Sequence, residues 1–142
     1  MALADTSLEE VIDTFEFVED WEERYRYIIE LGRELPPLAA TEMTDAFKVR
    51  GCQSQVWLVP QVTENESGKL IHLRGDSDAH IVKGLVALML LLFSGKSAAD
   101  ILAIDARAVL DRLGLSSHLS PMRANGLFSM VERIRAIARE NS

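Results

Sequence analysis

The stretch FKVRGCQSQVWLVPQVTENESGKLIHL, residues 47–73, holds the strand signals of this chain of 142 residues. Phe47 and Val49 alternate with charged residues, which predicts a short strand that ends at Gly51. The apolar residues within 56–62 predict a second strand. The connection between these two predicted strands contains the single cysteine of the sequence.

A third strand is predicted at residues 70–73, between a turn at 65–68 and a second turn at 74–76. Pro60 indicates that the second strand lies at an edge or carries a bulge, because proline donates no ladder hydrogen bond. Short connections between consecutive strands favour antiparallel pairing. The stretch therefore predicts a small three-stranded antiparallel sheet.

Helical patterns lie on the N-terminal side of this stretch. Ser7 and Glu10 form a capping-box pattern at the start of one helix. A second helix is predicted to begin after Asp20 and must end before Pro36-Pro37. Residues 38–45 show no clear period and are predicted to be a loop.

More helical patterns follow on the C-terminal side. Four of them are preceded by a residue whose side chain suits a helix N-cap: Asp78, Ser97, Asp105 and Ser120. The first of these predicted helices is strongly apolar and ends near Phe93 and Gly95. Helices, then three strands, then helices predict an α+β fold, and the length suits a single domain over residues 1–142.

Charge and composition exclude several classes of function. The formal net charge of −7 makes a nucleic-acid partner a poor hypothesis and disfavours an anionic membrane surface. The longest apolar run, residues 81–93, is shorter than the ~20 residues of a membrane span. One cysteine excludes an internal disulfide and a cysteine-only metal cage, so we expect no metal site. The N-terminus resembles no secretory signal, and a reducing cytoplasm is the expected compartment.

Cys52 is the first candidate for chemistry. A free cysteine is most often a small buried hydrophobe, but this one lies in Gly-Cys-Gln-Ser-Gln between two strand signals, where reactive groups are often positioned. Lys48 and Arg50 are near enough in sequence to favour a thiolate. No CxxC redox motif is present, and the sequence leaves open a catalytic pair with one of three histidines: His72, His80 and His118.

Four blocks of the sequence closely resemble the SufE family, the sulfur-acceptor partners of cysteine desulfurases. RGCQSQVWLVP (50–60) resembles the family's signature loop, and WEERYRYIIELGRELPPL (21–38) resembles its second helix with the proline stop. LRGDSDAHIVKGLVALML (73–90) is similar to the family's strand-to-helix segment, and HLSPMRANGL (118–127) to the start of its C-terminal helix. The blocks occur in the family's order and cover most of the chain.

The resemblance implies a function and a fold. A pyridoxal-phosphate-dependent desulfurase, SufS- or CsdA-like, would transfer persulfide sulfur to Cys52, and the chain would pass it to an iron–sulfur cluster scaffold complex. The pyridoxal phosphate would belong to the partner, so the chain itself would need no cofactor. The family shares its fold with the IscU-type scaffolds, which use several cysteines. One cysteine therefore fits a carrier of sulfur and not a scaffold, and the resemblance implies a carrier rather than a stand-alone enzyme.

Other residues are weaker candidates for the loop or for a partner interface: Gly51, Gln53, Arg123, Asp76 and His118. Arg123 lies in the first turn of a predicted helix, where the helix dipole disfavours a cation, so it requires a partner or a role. His118 reads more simply as a surface or capping residue, and Asp76 as a turn residue. The sequence leaves open whether the chain forms a homodimer.

Two other classes of function remain as alternatives. A stand-alone cysteine-dependent hydrolase or redox enzyme would need a base near Cys52. An interaction module would use Cys52 only as a structural residue. For the carrier, we expect Cys52 to be sheltered in the free protein and exposed by the partner, through movement of the Gly51–Gln55 loop.

Overall fold

The computed structural model describes residues 7–51, 54–66 and 68–142. The predicted site residues Cys52 and Gln53 lie outside the described residues. The elements in chain order are α1 (Leu8–Phe17), α2 (Trp21–Arg33), a 3₁₀ turn (Ala40–Glu42), β1 (Val56–Asn65), β2 (Gly68–Ser77), α3 (His80–Phe93), α4 (Ala98–Ala103), α5 (Ala106–Arg112), α6 (Leu115–His118) and α7 (Pro121–Glu140).

The sheet is an antiparallel hairpin of β1 and β2, and its register runs from the pair Val56 and Ser77 to the pair Asn65 and Gly68. The predicted α+β class is confirmed, with a small antiparallel sheet packed against helices. The predicted number of three strands is wrong, since the described residues form two.

The segment predicted as the first strand makes only an isolated bridge between Lys48 and Trp57. Two backbone hydrogen bonds accompany it, from Val49 N to Val56 O at 2.8 Å and from Leu58 N to Phe47 O at 2.9 Å. The chain turns on both sides of this contact. Phe47 N donates to Thr44 O at 3.1 Å, and Gly51 has a φ of +89°. Alternation of side chains therefore occurs without an extended segment long enough to form a strand.

Strand β2 continues through Arg74-Gly75-Asp76. The turn predicted at these three residues is therefore wrong. Gly75 lets α3 approach the strand closely. A Cβ atom on Gly75 would lie 2.7 Å from Val86 Cγ1 and 3.0 Å from Leu58 Cδ2. The glycine is thus required by packing against the sheet and not by a turn.

The central element of the core is α3, in which ten of the fourteen residues are buried. It packs between β2 and α2, and contact with α2 is close because a Cβ on Gly84 would lie 2.1 Å from Ile28 O. The buried core extends from Val11 in α1 to Ala138 in α7. No described helix combines the length and the apolar character needed to cross a membrane.

The opposite face of the sheet carries a second apolar cluster of Leu38, Trp57 and Val59, with Phe47 packed against it. The segment 38–48 that covers this face contains the 3₁₀ turn, although a plain loop was predicted. Glu42 fixes the segment in place: it accepts hydrogen bonds from Arg74 and from Ala39 N. These hydrogen bonds, the one from Arg74 first, hold the pKa of Glu42 below its ordinary value.

Four predicted N-caps are confirmed by hydrogen bonds from the first turn of the helix to the cap side chain: Ser7, Ser97, Asp105 and Ser120. Asp20, after which a helix was predicted to begin, also caps that helix, since its side chain accepts from Glu22 N. The predicted cap Asp78 is wrong. The N-cap of α3 is Ala79, which has no side chain able to accept a hydrogen bond. Asp78 instead contacts the backbone of the connection that precedes β1. The short helix α6 was not predicted.

Candidate functional site

The connection between Gly51 and Gln55 is held at its N-terminal end by α7. Gly51 adopts the left-handed backbone conformation that L-residues disfavour, and a Cβ atom there would lie 2.6 Å from Ser129 Oγ. Both constraints act together, because a side chain at this position would be strained and would collide with α7. The residue that precedes Cys52 in the sequence is therefore packed against a helix.

The C-terminal end of the connection is held by the end of β2. Gln55 N donates to Asp78 Oδ1 at 3.0 Å, and Ser77 Oγ donates to Gln55 O at 2.8 Å. Asp78 N also lies 3.3 Å from Gln55 O. Both backbone polar groups of Gln55 are thus satisfied by two consecutive residues. This arrangement explains why Asp78 is not available to cap α3.

A small cavity of about 70 Å³ opens beside this connection. Its lining is mixed, with apolar side chains of α3 and α7 beside the charged Arg123 and with Ser54 contributed by the connection itself: Ser54, Val82, Leu85, Met122, Arg123, Gly126 and Met130. Leu85 and Met130 are each 1% exposed and form the inner wall. Met122 is 56% exposed and forms the rim. The cavity is a small recess with a mixed polar and apolar lining, next to the cysteine-containing connection.

Arg123 lies in the lining of this cavity, in the first turn of α7. Its backbone N–H donates to Ser120 Oγ at 3.3 Å, which satisfies the N-cap, while the side chain is exposed. Arg123 is a cation in the first turn of α7, where the helix dipole disfavours positive charge. The structure gives it a position beside the cysteine-containing connection.

Asp76 lies on β2 and not in a turn. Its Oδ1 lies 3.3 Å from Lys83 Nζ and accepts from Ser77 N at 2.8 Å. The ion pair ties the end of β2 to the first turns of α3, because Lys83 belongs to that helix. Asp76 therefore supports the residues that hold Gln55, and it is not among the described residues that line the cavity.

His118 contacts a different part of the molecule. Its ring stacks on Trp21 of α2, with centroids 3.8 Å apart and planes 15° apart. Its Nδ1 lies 2.9 Å from Gly114 O, and its carbonyl accepts from the Tyr25 hydroxyl. These contacts join α6 to α2. None of His72, His80 and His118 is among the described residues that line the cavity.

Several residues of the site were not identified from the sequence. Ser54, Val82 and Leu85 of the lining, the pairing of Ser77 and Asp78 with Gln55, and the packing of Ser129 on Gly51 all depend on contacts between distant segments. The sequence did contain one indication of the cavity wall. Met122, Gly126 and Met130 recur at four-residue intervals and therefore share a face of α7. Among the described residues, no group of three or more histidine or acidic side chains has the geometry of a metal site.

Comparison with known proteins identifies relatives along nearly the whole chain. The profile of the SufE family, described as an Fe-S metabolism associated domain, matches residues 9–138. An uncharacterised SufE-like protein of Rhizobium meliloti is 51% identical over 133 residues, which cover 94% of this chain and 95% of that protein. A second uncharacterised SufE-like protein, from Rhizobium etli, is also 51% identical over 133 residues, covering 94% of this chain and 90% of its own length.

The fold has a counterpart among solved structures. The solution structure of a hypothetical protein from Thermus thermophilus superposes with a TM-score of 0.72 at 22% identity, over 94% of each chain. That likeness concerns the fold. The family profile and the relatives rest on the sequence itself and include the four blocks that resemble the family. The chain therefore belongs to the SufE family, whose domain is associated with iron–sulfur metabolism.

Proposed function

We propose that this protein accepts persulfide sulfur from a cysteine desulfurase onto Cys52, activates that desulfurase, and passes the sulfur to an iron–sulfur scaffold complex. The observation that carries the proposal is the small cavity of about 70 Å³ lined by Ser54, two residues after the cysteine. Family membership adds the association with iron–sulfur metabolism.

The proposed step is an exchange between thiols. The Cys52 thiolate attacks the terminal sulfur of the desulfurase persulfide, and a new sulfur–sulfur bond forms on Cys52. The old sulfur–sulfur bond breaks, and the desulfurase cysteine leaves as a thiolate. The transferred sulfur keeps its oxidation state, so the step requires no external oxidant or reductant. One cysteine is sufficient, because the leaving thiolate belongs to the partner.

The size of the cavity favours a carrier over a stand-alone enzyme. Small-molecule sites typically enclose roughly 300–1,000 Å³, whereas the recess beside Ser54 has about 70 Å³. That volume suits a side chain carrying one more sulfur atom and not a separate substrate. A hydrolase would also require a base beside the thiol, and the described lining of the recess contains no histidine.

The apolar part of the lining also accounts for how a bound sulfur would be kept. A persulfide exposed to water is lost to small thiols or oxidised, whereas Leu85 and Met130 offer apolar contact. Burial of the thiol would disfavour the thiolate and make the resting protein a poor nucleophile. Because Gly51 and Gln55 are each held by neighbouring elements, we infer that the residues between them move outward when the desulfurase docks.

The remaining parts of the proposal follow from the same role. The pyridoxal phosphate resides in the desulfurase, and this chain acts as one domain over residues 1–142 in the cytoplasm.

The direct test is desulfurase activity, measured as sulfide release from free cysteine with and without this protein. Wild-type protein is expected to accelerate release, and Cys52→Ser, which keeps the size but removes the soft nucleophile, is expected not to. Full acceleration by Cys52→Ser would contradict the role of this cysteine.

A further inference from the structure

A second recess lies beside the other end of the cysteine-containing connection. It is an open cleft of about 390 Å³, lined by residues that precede Gly51 and by residues of α7: Asp45, Ala46, Lys48, Val49, Arg50, Ser129, Glu132 and Arg133. Three of the lining side chains are cations and two are carboxylates, in a chain whose formal net charge is −7. The cleft is thus locally positive on an acidic protein.

The cations of the cleft share it with the carboxylates of Asp45 and Glu132, but they form no ion pair among the residues that the structure describes. Within that part of the chain, no carboxylate lies at ion-pair distance from Lys48, Arg50 or Arg133. The Nε of Arg133 is buried and has no hydrogen-bond partner among the same residues. A guanidinium group pairs best with a planar carboxylate.

The cleft and the small cavity are parts of one surface along α7. Met122, Gly126, Ser129 and Arg133 follow one another at intervals of four, three and four residues, so they form one row on the helix. Met122 and Gly126 line the cavity beside Ser54, and Ser129 lies against Gly51. A protein that reaches the connection between Gly51 and Ser54 must therefore lie over this row.

We propose that the cleft of Lys48, Arg50 and Arg133 binds an acidic segment of the cysteine desulfurase and orients it over the Cys52 connection. This inference rests on the proposed function, since it assigns a chemistry to the partner at the same site. Electrostatic pairing at such a rim sets the rate and orientation of docking, while the small cavity beside Ser54 would receive the sulfur. The overall negative charge of the chain would otherwise repel an acidic partner.

Carbodiimide cross-linking of the wild-type protein with the desulfurase tests the contact directly, because it joins an amine to a carboxylate at zero length. The expected product links the Lys48 peptide to an aspartate- or glutamate-containing peptide of the desulfurase. Lys48→Arg is the matched control, because it keeps the charge but supplies no amine. A complex that cross-links only through lysines outside the cleft, or a Lys48 link to a second copy of this chain, would overturn the proposal.

Charge reversal measures the contribution of the cleft to docking. Lys48→Glu combined with Arg50→Glu should raise the concentration that half-saturates desulfurase stimulation by about tenfold or more at low salt. The control Arg112→Glu changes an exposed arginine on α5 that pairs with Glu16 at 3.4 Å, and it should have little effect. Melting temperatures of all variants check that they fold.

The outcomes separate this inference from the proposed function. If wild-type and reversed proteins half-saturate at the same concentration while both gain sulfur on Cys52, the docking role of the cleft is wrong and the sulfur-acceptor role stands. If the wild-type protein gains no sulfur from an active desulfurase, the proposed function fails, and this inference fails with it.

Discussion

The carboxylate of Asp78 accepts a hydrogen bond from the backbone N–H of Gln55 at 3.0 Å, across twenty-three residues of sequence. The hydroxyl of Ser77 donates to the carbonyl of the same residue at 2.8 Å. The last residue of β2 and the residue that follows it therefore fix one end of the connection that contains Cys52. A side chain predicted to cap a helix is used to position the proposed site.

Removal of this carboxylate should loosen the connection without unfolding the protein. We expect Asp78→Ala to lower the free energy of unfolding by about 1–2 kcal/mol, as for a hydrogen bond to a charged group. It should also raise the rate at which iodoacetamide alkylates Cys52 several-fold. Asp78→Asn is the matched control, since it keeps an acceptor oxygen. Equal alkylation rates in wild type and Asp78→Ala would show that the hydrogen bond does not restrain the cysteine.

Gly51 should not tolerate a side chain. Gly51→Ala must adopt a φ near +89°, which costs an L-residue about 1–2 kcal/mol, and its Cβ would lie 2.6 Å from Ser129 Oγ. We expect reduced stability in urea unfolding. Combination with Ser129→Gly should restore part of the loss, because it removes the collision but not the backbone strain. Additive effects of the two substitutions would contradict the packing of Gly51 on Ser129.

Docking of the desulfurase should expose the thiol. In the free protein, Cys52 is expected to react with iodoacetamide more slowly than an unfolded peptide of the same sequence, because the proposed carrier must shelter its thiol. Addition of a desulfurase whose own nucleophilic cysteine has been replaced should increase the rate. A free protein as reactive as the peptide would refute the sheltering. Unchanged protection in a saturated complex would refute opening by the partner.

The ion pair of Glu42 and Arg74 should make stability depend on pH in the acidic range. The folded protein holds the pKa of Glu42 below its ordinary value of 4.5, so the pair stabilises the fold above that value and the contribution is lost as pH falls through the lowered pKa. We expect Glu42→Gln to melt below wild type at neutral pH and to approach wild type in acid. If the difference in melting temperature between wild type and Glu42→Gln grew as the pH falls, the ion pair would not be the source of this pH dependence.

Sequence patterns with short range predicted most of the fold. Cap residues such as Ser7 and Ser120 are recognisable because the hydrogen bond they accept comes from within three residues. The errors arose where distant segments decide the local structure. Arg74-Gly75-Asp76 has turn composition, yet the glycine serves the approach of Val86 from α3. Phe47 and Val49 alternate like a strand, yet turns confine them to one bridge.

The candidate site was also predicted only where local sequence determines it. Cys52 and Arg123 were singled out from their local context and from the resemblance to the family. The cavity wall of Val82, Leu85 and Met130 could not be predicted, since its shape depends on the packing of α3 against α7. The cation cleft was also missed, because Lys48 and Arg133 meet only in the folded chain.

Transfer of sulfur to Cys52 is the central claim, and mass spectrometry tests it most directly. The protein is incubated with its desulfurase and free cysteine, trapped with an alkylating reagent and digested without reductant. We expect the peptide containing Cys52 to gain one sulfur atom, about 32 Da, and to lose it on treatment with a thiol reductant. An active desulfurase that leaves the mass of this peptide unchanged would contradict the account.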